Sequence, residues 1–259
     1  MAQSATKRVP NVARGKALLN AFRDSLPQYS GNRLRCTSCH LDEGTRGSAM
    51  PWLSTAVRYP KYRARRGAEE TLTQRVNECV TRSLAGRALP ENGAAMLDIL
   101  AYLDSLGALP RPAAPDTVKL SGNVLQGRRV YTATCVRCHG ADGGGVAKLA
   151  TAVWGSRSYS IGAGLARQTV LATFVRENMP YDKASVLTAQ DAADVAAYVL
   201  SKPRQDHPGK ERDWPKGGAP TDVAYATIGA RNAGEPPPLR RPVLPRRVSP
   251  ILSTPVRTP

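Results

Sequence analysis

The chain has 259 residues, 41% of them hydrophobic and only 5% aromatic, and it sets 37 Lys and Arg against 20 Asp and Glu for a formal charge of +17. That length has room for two small domains with appendages, yet two Phe are thin material for two independent cores. So basic a chain attracts anions and acidic partners; with no nucleic-acid module and no apolar window long enough to span a bilayer, neither a nucleic-acid partner nor an integral membrane protein is expected.

Residues 11–24 carry Val12, Leu18, Leu19 and Phe22 at near-helical spacing and stop at Pro27, which predicts a short amphipathic helix. It leads into Cys36-Thr-Ser-Cys39-His40, a pattern that recurs as Cys135-Val-Arg-Cys138-His139. In Cys-x-x-Cys-His the two thiols add across haem vinyl groups and the following His ligates the iron. With 5 Cys and 3 His in 259 residues, one accidental match is expected in about a thousand such chains, before a second is required. A thioredoxin-like motif would need a βαβ context and a zinc site a second Cys/His pair. Two covalently attached haem c groups are therefore expected, held by Cys36, Cys39, Cys135 and Cys138, with His40 and His139 as axial ligands. Each haem would supply apolar surface that the side chains lack.

The stretch after His40 reads as a loop, and Pro51-Trp52 with Tyr59-Pro-Lys-Tyr62 as a loop wrapped on the haem. Residues 69–85 place Leu72, Val76, Cys79, Val80 and Leu84 on one helical face ending at Gly86. A second helix over 92–106 carries Met96, Leu97, Leu100, Leu103 and Leu106, with Asn92 as its cap. The Pro-rich segment 107–121 is a semi-rigid linker. The same plan then repeats: a helix over 123–133, the haem motif, a glycine loop over 140–145, a helix over 164–177, and a closing helix from a Thr188-x-x-Asp191 capping box to Ser201. From 231 to 259 the Pro/Arg composition cannot offset its chain entropy, and disorder is expected. The fold class is all-α: two tandem cytochrome c-like domains at 8–106 and 122–230, linker 107–121, and a disordered tail.

A low-spin electron-transfer haem needs a second axial ligand. In the second domain Met179, between Asn178 and Pro180, is the first candidate and His207 the second. In the first domain Met50, Met96 and the unpaired Cys79 compete; Met96 lies among leucines, Met50 follows His40 by only ten residues, and a lone Cys on an apolar face is ordinarily packing. The residues alone leave that choice open.

The segment Arg75-Val-Asn-Glu-Cys79-Val-Thr-Arg-Ser83-Leu-Ala-Gly86 resembles the dihaem thiosulfate dehydrogenase family, as do Cys36–Thr45, Tyr59–Arg65, Trp154–Gly164, Asn178-Met179-Pro180 and Asp213-Trp-Pro215. The resemblance covers about residues 12–220. It implies His40 and Cys79 as axial ligands of a catalytic first haem, Met179 with His139 on an electron-transfer second haem, and Arg65, Arg75 and Ser83 as active-site residues. It also implies the joining of two thiosulfates into tetrathionate, with electrons leaving for a redox partner protein. Some members carry Lys beside the second-domain Met, where this chain has Asn178, so a Met/Lys ligand exchange is not expected. Two dianions repel each other in a semi-buried pocket, and guanidinium groups offset that repulsion, which suits Arg65 and Arg75 to an anion clamp. The rival reading is an electron carrier without substrate; it explains the haems and the charge but not Cys79 with arginines beside it. Covalent haem attachment in bacteria occurs outside the cytoplasm, so a periplasmic location is expected. Met1-Ala-Gln-Ser-Ala-Thr-Lys7 has no apolar core of a leader, which points to a removed leader or a misassigned start.

Overall fold

The computed structural model describes residues 8–238 and 241–245. The first half contains α1 (Val12–Asn20), β1 (Lys61–Arg63), β2 (Ala68–Glu70), α2 (Leu72–Arg82) and α3 (Ala94–Ser105). The second contains α4 (Val124–Val130), α5 (Gln168–Asn178) and α6 (Ala189–Leu200), followed by β3 (Arg204–Gln205), α7 (Ile228–Asn232) and β4 (Val243–Leu244).

Each half closes by crossing its first helix over its last, α1 on α3 and α4 on α6. The crossings use the same residues. Asn11 and Asn123 cap α1 and α4 with their side chains, and their backbone N–H groups donate to the buried carboxylates of Asp98 and Asp194 at 2.8 and 2.7 Å. Four residues on, Gly15 and Gly127 lie so close to the Asp98 and Asp194 carbonyls that an added Cβ would collide with them. Only glycine allows such an approach. Tyr102 and Tyr198, one turn past each Asp, meet Trp52 and Trp154 edge-on at 6.2 and 5.8 Å. The duplication is thus carried by single residues, Asn-x-x-x-Gly against Asp-x-x-x-Tyr.

The capping box at Thr188 and Asp191 starts α6 as expected, and a second one, Thr71 with Gln74, starts α2. Five expectations are corrected. Asn92 does not cap α3; Gly93 stands there and its helix begins at Ala94. The helix expected over 11–24 breaks at Ala21, and the one over 164–177 divides at Arg167 into a 3₁₀ turn and α5. Tyr59–Tyr62 is not wholly irregular, because β1 pairs antiparallel with β2, Lys61 opposite Glu70 and Arg63 opposite Ala68. The stretch expected to be disordered from 231 holds the end of α7 and β4, whose Val243 and Leu244 pair parallel with Arg204 and Gln205. Residues 239, 240 and 246–259 lie outside the described residues.

One apolar core runs through both halves, from Phe22, Met96 and Ile99 to Tyr131, Val195 and Leu200. Buried polar contacts cross it: Asn32 Nδ2 donates to the carbonyls of Ser83 and Ser158 at 2.8 and 2.9 Å, and Ser160 Oγ to the Arg82 carbonyl at 2.6 Å. The two domains therefore pack as one body, each lending residues to the other's cavity.

Asp98 tests the crossing. Burial alone would raise its pKa, but donors from Arg8 and the Asn11 amide outweigh burial and hold the carboxyl below its ordinary value. A depressed folded-state value means that its stabilisation is present above the ordinary carboxylate range and lost as pH falls through that lower value. Asp98→Asn should lower the thermal midpoint at pH 7, and the gap from wild type should close as both are taken below about pH 4. A gap that stays constant across that range would show that the ionised carboxylate contributes nothing to the crossing.

Candidate active site

A tight 3₁₀ turn over Cys36–Ser38 sets Cys36, Cys39 and His40 on the wall of a cavity of about 290 Å³. The wall of that cavity includes Cys79, Arg75 and Ser83, three residues one helical turn apart along α2 and its last turn. The His40 Nδ1 lies 2.6 Å from the Met50 carbonyl, which can only accept, so Nδ1 carries the hydrogen and Nε2 presents a lone pair. Burial pushes the imidazole down to about 4, keeping it neutral. Trp52 packs beside the ring at 4.9 Å. Burial likewise raises the Cys36 thiol and pushes Cys39 up to about 12. The Arg75 guanidinium is raised above its ordinary range, chiefly by the Cys79 sulfur beside it, so a permanent positive charge faces that sulfur.

The second cavity, about 560 Å³, is lined by Cys135, Cys138, His139 and Met179, and also by Leu34, Arg35, Thr37, Ser38, Cys39, Leu41 and Asp42 of the first domain. A π-helical turn, Tyr131–Cys135, delivers its first thiol. His139 repeats the arrangement of His40: Nδ1 lies 2.8 Å from the Thr151 carbonyl, and burial lowers its pKa. Cys39, Tyr159 and Leu165 line both cavities, so the two adjoin. Asn178, next to Met179, is fully buried; its Oδ1 accepts from Ser48 Oγ at 2.8 Å and its Nδ2 donates to the carbonyls of Phe174 and Ser48 at 3.0 and 3.2 Å. Asn178 is thus an interdomain latch beside Met179. Lys183 is exposed.

In both cavities the thiols, the histidine with its free Nε2 and the mainly apolar wall fit a covalently held haem, and Cys79 or Met179 is available as a further ligand. His207 is buried against Gly162 and lies outside the second cavity, and Met96 is core packing. The structure places Arg65 outside the wall of the first cavity. Its guanidinium donates to the Gly162 carbonyl at 3.1 Å and the Tyr225 hydroxyl at 3.2 Å. It also pairs with Asp213 at 3.4 Å and lies over Trp214 at 4.6 Å. Asp213 grips Arg82 bidentately at 2.6 and 2.8 Å, Arg82 reaches Glu78 at 3.8 Å, and Glu78 pairs with Arg75 at 3.4 Å. Arg65 thus belongs to a polar chain behind α2 that ends at Arg75. Sequence reasoning missed Arg58, Lys61, Arg63 and Arg111, which do line the first cavity. The signal for Lys61 and Arg63 was their alternation with the exposed Tyr62 in β1; Arg111 had none.

Haem-attachment motifs whose histidines open onto such cavities, in helical units closed by a crossing of first and last helices, define a c-type cytochrome carrying covalently bound haem c. The family model described as "SoxA/TsdA, cytochrome c domain" matches residues 28–108, and that described as "Cytochrome C oxidase, cbb3-type, subunit III" matches residues 122–199. The thiosulfate dehydrogenase of Psychrobacter arcticus is 36% identical over 82% of this chain and 69% of its own length. That of Allochromatium vinosum is 36% identical over 75% of this chain and 78% of its own. The chain belongs to the thiosulfate dehydrogenase family. The solved thiosulfate dehydrogenase (TsdBA) of Marichromatium purpuratum superposes with a TM-score of 0.71 at 27% identity over 81% of this chain. This chain spans 50% of that longer one. Among the described residues, no helix is long and apolar enough to cross a membrane.

Asp213 is 4% exposed and faces two guanidinium groups. Removing one partner of a buried ion pair strands the remaining charge, at a cost of about 3–5 kcal/mol. Asp213→Ala should therefore lower the unfolding free energy from denaturant titration sharply, whereas Asp182→Ala, which breaks an exposed pair with Arg137, should change it by less than about 1 kcal/mol. Equal effects would mean that the chain behind α2 has no structural role.

Proposed function

We propose that the protein joins two thiosulfates into tetrathionate at the first-domain cavity, releasing two electrons that leave through the second domain. The balance is 2 S₂O₃²⁻ → S₄O₆²⁻ + 2 e⁻: one S–S bond forms, each thiosulfate loses one electron, and no proton is taken up or released. The observation that carries this reading is Arg75 against Cys79 in the cavity that also holds His40.

In this reading each cavity holds one haem c, attached through Cys36 and Cys39 or Cys135 and Cys138. His40 and Cys79 would hold the iron of the first, and His139 and Met179 that of the second; all four line the corresponding cavities. When bound, haem iron supplies one-electron acceptance, and a thioether ligand raises its potential relative to a thiolate. The protein's own residues do the remainder. The Arg75 fork binds a sulfonate dianion and partly neutralises the repulsion between two such anions. Ser83 can donate a hydrogen bond to a sulfonate oxygen. Arg65 acts at one remove, as a positioning residue: with Asp213, Arg82 and Glu78 it holds Arg75 on the cavity side of α2. The wall shared through Cys39, Tyr159 and Leu165 supports a short electron path between the domains. An external redox protein would receive the electrons, in the periplasm if haem is attached there. A pure electron carrier would account for the haem sites and the charge but not for Cys79 with Arg75 beside it.

Turnover of thiosulfate with ferricyanide as acceptor tests the reading. Cys79→Gly should abolish turnover with both haems still attached; wild-type activity and an unchanged low-spin resonance spectrum would reject the ligand assignment. In a redox titration, Met179→Gly should move only the higher-potential step, and movement confined to the lower step would reverse the roles of the two domains. Arg75→Ala should reduce kcat/KM by roughly thirtyfold, the equivalent of about 2 kcal/mol for a charge-assisted contact.

A further inference from the structure

Among the described residues, Arg58, Lys61, Arg63, Arg75 and Arg111 all line the first-domain cavity. Arg63 has a carboxylate partner in Glu70 and Arg75 one in Glu78, each at 3.4 Å. Arg58, Lys61 and Arg111 have no carboxylate partner among the described residues. Their placement is built. Strand alternation turns Lys61 inward with Arg63 while Tyr62 points out at 57% exposure, and the Lys61 ammonium lies over the Tyr59 ring at 4.8 Å. Arg111 arrives from the segment joining the domains, where Pro112 packs on Gly47 and the guanidinium donates to the neutral Pro51 carbonyl at 3.1 Å.

Burial, then Arg58, Arg63, Arg111 and Arg75 in that order, push the Lys61 ammonium below its ordinary pKa, which reports how closely these cations crowd it. Like charges held together without a carboxylate of the protein beside them repel, and a folded protein keeps such an arrangement where anions are to be bound, whether haem propionates or a substrate. The charges are also graded: Arg58 and Arg111 are exposed at the rim, Lys61 is half-buried, and Arg75 lies innermost, beside Cys79.

We propose that Lys61 and Arg111, with Arg58 at the rim, form a second anion subsite that holds the second thiosulfate against the one bound at Arg75 and Cys79. The inference rests on reading the cavity as a thiosulfate-oxidising centre. Coupling needs two dianions at once, and the pairing of Arg63 and Arg75 with glutamates leaves too little free positive charge for both. Cations take the oxygen-bearing sulfonate end of each anion, which frees the terminal sulfurs to meet.

The subsite is tested by titrating thiosulfate calorimetrically into chemically reduced holoprotein, which holds no oxidant for it. Wild type and Lys119→Gln, which removes a charge from the same 107–121 segment outside the cavity, should bind two anions per chain; Lys61→Gln/Arg111→Gln should bind one. With ferricyanide in the steady state, that double variant should raise the KM for thiosulfate about tenfold with a much smaller loss of kcat, and the rise should persist at high salt, where long-range steering is screened. Two anions bound by the double variant with wild-type affinity, one anion bound by wild type, or a KM effect that vanishes at high salt would each overturn the subsite. If wild type binds two thiosulfates and oxidises neither, the subsite stands and the thiosulfate-oxidising reading falls. If the double variant oxidises thiosulfate with unchanged KM, the reverse holds.

Discussion

Two helices can lie backbone against backbone only where a side chain is missing, and both halves of this protein depend on that contact. Gly15 on Asp98 and Gly127 on Asp194 bring the first and last helices together, and the Asn11 and Asn123 amides fasten them to the same aspartates. From the crossing, Tyr102 and Tyr198 reach Trp52 and Trp154, and the Tyr102 and Tyr131 hydroxyls hold the Glu43 and Gly140 carbonyls just past the two haem motifs at 2.9 and 2.8 Å. The loops that carry His40 and His139 are thus suspended from the crossings. Their Nδ1 atoms are fixed in turn by the Met50 and Thr151 carbonyls, which decides which nitrogen is left for a metal.

The joining of the two halves has a chemical consequence. Cys39 belongs to the first motif but lines both cavities, and Asn178, adjoining Met179, is bonded to Ser48 of the first domain. The two sites are therefore joined by contacts only a residue or two long. The region after α6 closes the arrangement from behind: Asp213 and Tyr225 bind Arg65 and Arg82, so the C-terminal part of the second domain stiffens the helix that carries Cys79 and Arg75 in the first. This explains why the two units share one core rather than standing apart on a linker.

Charge is the other organising quantity. Two dianions about 5 Å apart repel by roughly 3 kcal/mol even in water, and by more where protein replaces water. A net excess of cations on the surface would raise the local concentration of anions without bringing two of them together. The series from Arg58 and Arg111 through Lys61 to Arg75 does both, because these cations line the one cavity that Cys79 also lines. The same crowding costs the unliganded protein some stability, which the nearby Glu70 and Glu78 carboxylates limit.

What could be read from the sequence was what is local. Two Cys-x-x-Cys-His motifs name their own chemistry, a 3.6-residue period places Val80 on the buried face of its helix, and a Thr188-x-x-Asp191 box starts α6 because its partners are three residues apart. Where residues depend on distant ones, the sequence was silent. Arg65 resembles a clamp residue by its neighbours in the chain, yet Asp213 and Tyr225, about 150 residues away, take its guanidinium. Arg111 looked like part of a proline-rich spacer and becomes a cavity wall because Pro112 finds Gly47. A charged side chain has no period and no cap to mark its destination, so only the tertiary structure decided which of the arginines and lysines face the sulfur of Cys79.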